Sequence, residues 1–83
     1  MVEFSYVILD MQGLHARPVA IICSEAHQWG SDIVITCRGA ETSATDLMGL
    51  MALDGRKGDE LVVRISGEDE AACAEAMRSV FTF

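Results

Sequence analysis

From Val2 to Ile8 the side chains alternate, with Val2, Phe4, Tyr6 and Ile8 on one side and Glu3, Ser5 and Val7 on the other. A period of two fits a strand with one buried face. Beyond Ala16 the period changes, and Val19, Ile22, Cys23, Ala26 and Trp29 recur at helical spacing. That pattern predicts an amphipathic helix to about Trp29, with Gly30 as its C-terminal cap. The β-branched run Ile33-Val34-Ile35-Thr36 predicts a second strand, and a turn at Gly39-Ala40 leads into a short third strand over 40–44. Asp46 is a suitable N-cap for a short helix over 47–53, in which Gly49 is a weak point. Leu61, Val63 and Ile65 alternate again and predict a fourth strand. Ser66 or Gly67 then opens a last helix, with Glu68, Asp69 and Glu70 in its first turn and Ala72, Cys73, Ala76, Met77 and Val80 as its apolar stripe. The order β-α-β-β-α-β-α predicts an α+β fold: an antiparallel sheet with helices covering one face. No internal repeat, linker or low-complexity stretch interrupts it, so one domain is expected over residues 1–83.

Composition narrows the classes of function. A net charge of −7, with six basic residues that form no cluster beyond Arg56-Lys57, excludes nucleic acid as a partner. No apolar run approaches the roughly 20 residues of a membrane span, and Met1-Val2-Glu3-Phe4 does not resemble a signal peptide. A cytoplasmic protein without membrane insertion is expected. Cys23, Cys37 and Cys73 contain no C-x-x-C pair and read as reduced, small apolar residues. No spacing of His and Cys fits a metal site, and no cofactor motif is present.

The candidate chemistry lies in Gly13-Leu14-His15-Ala16-Arg17-Pro18. A histidine and an arginine stand there at the start of the first helix, and Pro18 sits where the first turn needs no donor. The first N–H groups of a helix are unpaired and, with the dipole, favour an anion. Neutral imidazole is a nucleophile near pH 7 and a good leaving group afterwards. His15 is thus a candidate phosphoryl acceptor and Arg17 its anion partner. His27, on the polar face of the helix, reads as a solvated residue.

These residues resemble the active-site motif of the HPr family, the histidine-containing phosphocarriers of the bacterial phosphoenolpyruvate-dependent phosphotransferase system. Leu47-Met48-Gly49-Leu50-Met51 resembles the family's second motif, and Gly58 and Gly67-Glu68-Asp69-Glu70 also fit. The resemblance spans the chain without needing a gap. It implies an open-faced β-sandwich, a four-stranded antiparallel sheet with three helices on one side. It also implies a stoichiometric carrier rather than an enzyme. His15 would take a phosphoryl group from enzyme I and pass it to IIA-type components of sugar transport, through Nδ1, although nothing in the sequence fixes that nitrogen.

Two departures from the family qualify the resemblance. Many members carry a serine at position 46 that a regulatory kinase phosphorylates; here Asp46 is either a plain N-cap or a partial likeness of phosphoserine. Family members often place lysines around the first helix, whereas this chain has no lysine or arginine between Arg17 and Arg38. Docking would then rest on Ala20, Leu47, Met48 and Met51, although Met48 and Met51 serve equally well as core residues of a short helix. The alternative function is a regulatory paralogue that binds a regulator or metabolic enzyme through Asp46, Met48 and Met51.

Overall fold

In the computed structural model, which describes residues 1–83, the alternating stretches pair into one antiparallel sheet. Its strands are β1 (Val2–Val7), β2 (Asp32–Cys37), β3 (Ala40–Ser43) and β4 (Glu60–Ser66), in the order β1-β4-β2-β3. The helices are α1 (Ala16–Ala26), α2 (Leu47–Ala52) and α3 (Glu70–Arg78). This is the α+β architecture expected, with all three helices on one face of the sheet. Arg38 and Gly39 join β2 to β3 with φ of 49° and 82°, the two positive values of a type I′ hairpin.

Register explains which side of the sheet is buried. Val2, Ile65 and Ile33 stand in one cross-strand row, Phe4, Val63 and Ile35 in the next, and Tyr6, Leu61 and Cys37 in a third. Onto these rows α1 lowers Val19, Ile22 and Ala26, α2 lowers Leu50, and α3 lowers Cys73, Ala74 and Met77. Burial of a large aliphatic side chain stabilises by about 1.5–3 kcal/mol, so these rows are the main source of cohesion. The opposite face is open to solvent. There Arg64 of β4 pairs with Glu3 of β1 at 3.0 Å and lies 3.9 Å from Glu41 of β3.

Two helix boundaries differ from the sequence expectation. The first helix ends at Ala26 rather than about Trp29, because Gln28 and Trp29 donate to Glu25 and Ala26, the i−3 bonds of a tightened last turn. Gly30 is not its cap; the Gly30 N–H instead donates to Asp69 Oδ2 at 2.9 Å. The last helix begins at Glu70, three residues after Gly67, so only Glu70 lies in its first turn. Ser66 stays in β4, and Gly67 lies so close to Ser31 that a Cβ would strike it. Its buried stripe is also rotated: Ala74 is buried where Ala72 was expected, and Val80 falls beyond the helix. The free cysteines agree with the apolar reading for Cys37 and Cys73, which are buried, while Cys23 is half-buried.

Candidate functional site

The site is built where β1 gives way to α1. Ile8 anchors the strand end, donating to Asp59 and accepting from Gly58. The chain then turns over Asp10–Gly13: the Gly13 N–H returns to the Asp10 carbonyl at 2.9 Å, and the Gln12 N–H donates to Asp10 Oδ1 at 2.8 Å. Such a side-chain-to-backbone bond, an Asx turn, is what aspartate brings to this position. Gly13 has φ of 65°, and a Cβ there would meet the carbonyl of Gly55. Glycine is therefore required twice, for conformation and for close approach. Leu14 follows into the core and donates its N–H to Gly55 O at 2.8 Å, which fixes the next residue in place.

That next residue is His15, at the N-cap of α1 with extended backbone (φ −91°, ψ −179°). Its carbonyl accepts the first helical bond from Val19, but its side chain makes no capping bond. The ring is half-buried and points Nε2 at Asp10 Oδ2, 3.3 Å away. The amides of Ala16 and Arg17 find no acceptor in the chain. Arg17 is exposed and forms no ion pair, unlike Arg38, Arg56 and Arg64, which each hold a carboxylate. His15, Arg17, Asp10 and Gln12 border an open pocket of about 500 Å³, whose other wall includes Val80 and Phe83. Chemically this is an accessible imidazole beside an uncommitted guanidinium and unpaired helix amides, a setting for a transient anion.

Asp10 is charged at neutral pH. The Gln12 N–H bond does most to hold its carboxyl below the usual range, and His15 adds to this against the opposing effect of desolvation. Phe83 of the pocket wall belongs to an aromatic cluster with Phe4, Tyr6 and Phe81. The Tyr6 hydroxyl donates to the Phe83 main-chain oxygen, and the Leu9 N–H reaches the same oxygen at 2.9 Å. Burial, and secondarily Asp10, push the Tyr6 hydroxyl pKa up.

The remaining candidate residues lie on the α1 and α2 surfaces. Asp46 caps α2, accepting the Gly49 N–H at 2.9 Å. Gly49 packs so closely on Thr42 and Asp46 that no side chain fits there. Of α2 only Leu50 is buried; Leu47, Met48 and Met51 are 47%, 76% and 41% exposed, so both methionines belong to the surface. Ala20 is exposed as well, and so is Ile21. His27 is exposed and stands apart from the pocket. Sequence reasoning missed Asp10, Ile21 and the Phe83 wall. An Asp three residues before a glycine was a turn signal that could have placed the first.

The molecule is thus a small α+β domain, a βαββαβα open-faced sandwich with a half-buried histidine at the start of its first helix. The family model for the PTS HPr component phosphorylation site matches residues 2–82, and the chain belongs to this HPr family of phosphocarriers. The phosphocarrier protein HPr of Xylella fastidiosa (strain 9a5c) is 32% identical over 81 residues, 98% of this chain and 91% of the relative. The solved structure of a mycoplasma histidine-containing phosphocarrier protein superposes with a TM-score of 0.93 at 29% identity, covering 95% of this chain and 90% of that one. The Bacillus subtilis catabolite repression containing protein Crh is similar too, with a TM-score of 0.75 at 32% identity over 98% of this chain and 93% of Crh. No helix is long and apolar enough to cross a membrane.

Proposed function

We propose that the chain is a cytoplasmic phosphocarrier of the phosphotransferase system, which takes a phosphoryl group from phospho-enzyme I onto His15 and passes it to IIA-type components. The observation that carries this reading is the position of His15, half-buried at the α1 N-cap with its side chain free of capping duty. Transfer passes through a loose transition state whose charge spreads over the equatorial oxygens. The uncommitted Arg17 and the free amides of Ala16 and Arg17 are suited to that charge. Because the pocket is open and its donors few, the phosphoryl group is held without being trapped. The carrier is stoichiometric, used once per transfer and returned unchanged. Leu47, Met48 and Met51, with Ala20, form the surface on which both partners dock; its exposed apolar area takes the place of the missing lysines.

A second reading, a regulatory protein that works by binding through Asp46, Met48 and Met51, draws on the likeness to Crh. One experiment separates the two. Wild type and His15→Ala are incubated with phosphoenolpyruvate and purified enzyme I, and followed by intact mass and by acid lability of the added phosphate. The carrier reading expects one acid-labile phosphate on wild type and none on the variant. A folded wild type that accepts none from several enzyme I sources would sink it.

A further inference from the structure

A neutral imidazole has one protonated and one bare nitrogen, and whichever hydrogen bond is made at one of them decides the other. In this chain only one ring nitrogen of His15 has a partner: Nε2 lies 3.3 Å from Asp10 Oδ2, while Nδ1 has none. An ionised carboxylate can only accept, so the ring must donate Nε2–H to it. The acceptor is itself fixed. Oδ1 of the same carboxylate is held by the Gln12 N–H at 2.8 Å, and the Asp10 carbonyl by the Gly13 N–H at 2.9 Å.

We infer that Asp10 is a positioning residue of the phosphoryl-transfer site: by holding Nε2–H it leaves the lone pair on Nδ1 and steadies the ring as that nitrogen is phosphorylated. The inference deepens the carrier reading and rests on it for the transfer step, though not for the state of the ring. In that step the Nδ1 lone pair forms the new N–P bond while the bond between phosphorus and the donor breaks, its electron pair leaving with the donor atom. Nδ1 now has three bonds to heavy atoms, and Nε2 keeps its proton, so the ring carries a positive charge that it did not have before. Asp10 is the carboxylate that faces this charge. The reverse step, delivery to an acceptor, returns the electron pair to Nδ1 and the ring to neutrality. The other titratable or charged groups here are Arg17 of α1 and the terminal Phe83, which line the pocket, and Tyr6 of β1, whose hydroxyl feels the Asp10 charge and donates to the Phe83 main-chain oxygen. Among carboxylate side chains, Asp10 alone borders it.

The test compares isotope-labelled wild type, Asp10→Ala and Asp10→Asn. Long-range proton–nitrogen spectra of the imidazoles, in the pH range where the rings are neutral, report which nitrogen bears the proton. His27, exposed and without a partner, serves as the reference within the same molecule. Wild-type His15 should differ from His27 by a more fully Nε2-protonated ring, and Asp10→Ala should bring the two patterns together. The amide spectrum checks that the variants fold. Transfer from phospho-enzyme I to Asp10→Ala should be about three- to fivefold slower, the range an exposed charge pair supplies. Acid hydrolysis of its phosphohistidine should shift to lower pH, with Asp10→Asn between the two. Unchanged ring spectra in Asp10→Ala would overturn the inference, as would altered spectra with identical transfer and hydrolysis profiles. A wild type that takes no phosphate would bring down the carrier reading instead, and the ring spectra would still decide what Asp10 does.

Discussion

Gly13 shows how one residue can govern a site without touching its chemistry. The Asp10–Gly13 turn aims Asp10 at His15, and it closes only with a positive φ at Gly13 and with the Gly55 carbonyl pressed against its Cα. Gly13→Ala should therefore cost about 1–3 kcal/mol from the backbone conformation, with displacement of the 55–56 backbone adding to it. Denaturant unfolding would read the loss directly, and a variant as stable as wild type would show that the turn adapts. At this scale the sequence was legible in part. His15, Arg17 and the glycine between turn and helix stand out as residue types in a short span. Asp10 did not, because its role depends on a bond to a residue five positions on, made only when the turn has folded. The exposure of Met48 and Met51 was equally open from sequence, since a six-residue helix has too few turns for periodicity to choose a face.

At the level of elements, α2 is held by very little, and each contribution can be measured separately. Its only buried side chain is Leu50, fully enclosed, and its N-terminus is tied by Asp46. Leu50→Ala should destabilise by about 2–5 kcal/mol, the cost of a large-to-small change in a packed core. Asp46→Ala should lose about 1 kcal/mol as the Gly49 N–H goes unpaired. Met48→Ala should stay within about 0.5 kcal/mol, since nothing in the core depends on it. Chemical denaturation of the three variants checks this ordering; a Met48→Ala loss comparable to that of Leu50→Ala would contradict the surface assignment. The cap seen for Asp46 accounts for its presence on structural grounds alone. Element type and order were readable from periodicity, while the ends of α1 and α3 were not. The α3 start, and the place of Gly30 outside α1, reflect a contact between distant segments: Gly30 and Ser31 take the Asp69 carboxylate, which draws that side chain away from capping α3, while α1 itself tightens into i−3 bonds after Ala26. No local pattern in the sequence reports a bond across almost forty residues.

That same carboxylate links the molecule's two halves and gives the fold a predictable response to acid. Hydrogen bonds from the Ser31 hydroxyl first, and the Gly30 N–H second, hold the Asp69 carboxyl below its ordinary range. A depressed folded-state pKa means that the unfolded chain binds the proton more readily, so stability rises with pH across the gap between the two values. The contribution is complete above the unfolded value of about 3.9 and disappears as pH falls through the folded one. Asp10 is depressed as well, by the Gln12 N–H foremost, so the turn that orients His15 loosens in the same range. At low pH the molecule thus loses the junction between β2 and α3 together with the frame of its candidate site. Thermal melts of wild type and Asp69→Asn from neutral pH to about pH 3 isolate this effect. The variant should melt at a lower temperature at neutral pH, and the gap should close as wild-type Asp69 becomes protonated below about pH 4. A gap that persists unchanged to pH 3 would mean that the carboxylate's charge is irrelevant and only its shape matters. Net charge sharpens the comparison: at −7 the neutral-pH chain repels itself, and partial protonation of the other carboxylates relieves that repulsion in both proteins alike. The difference between the two melting curves, rather than either curve alone, therefore reports the junction.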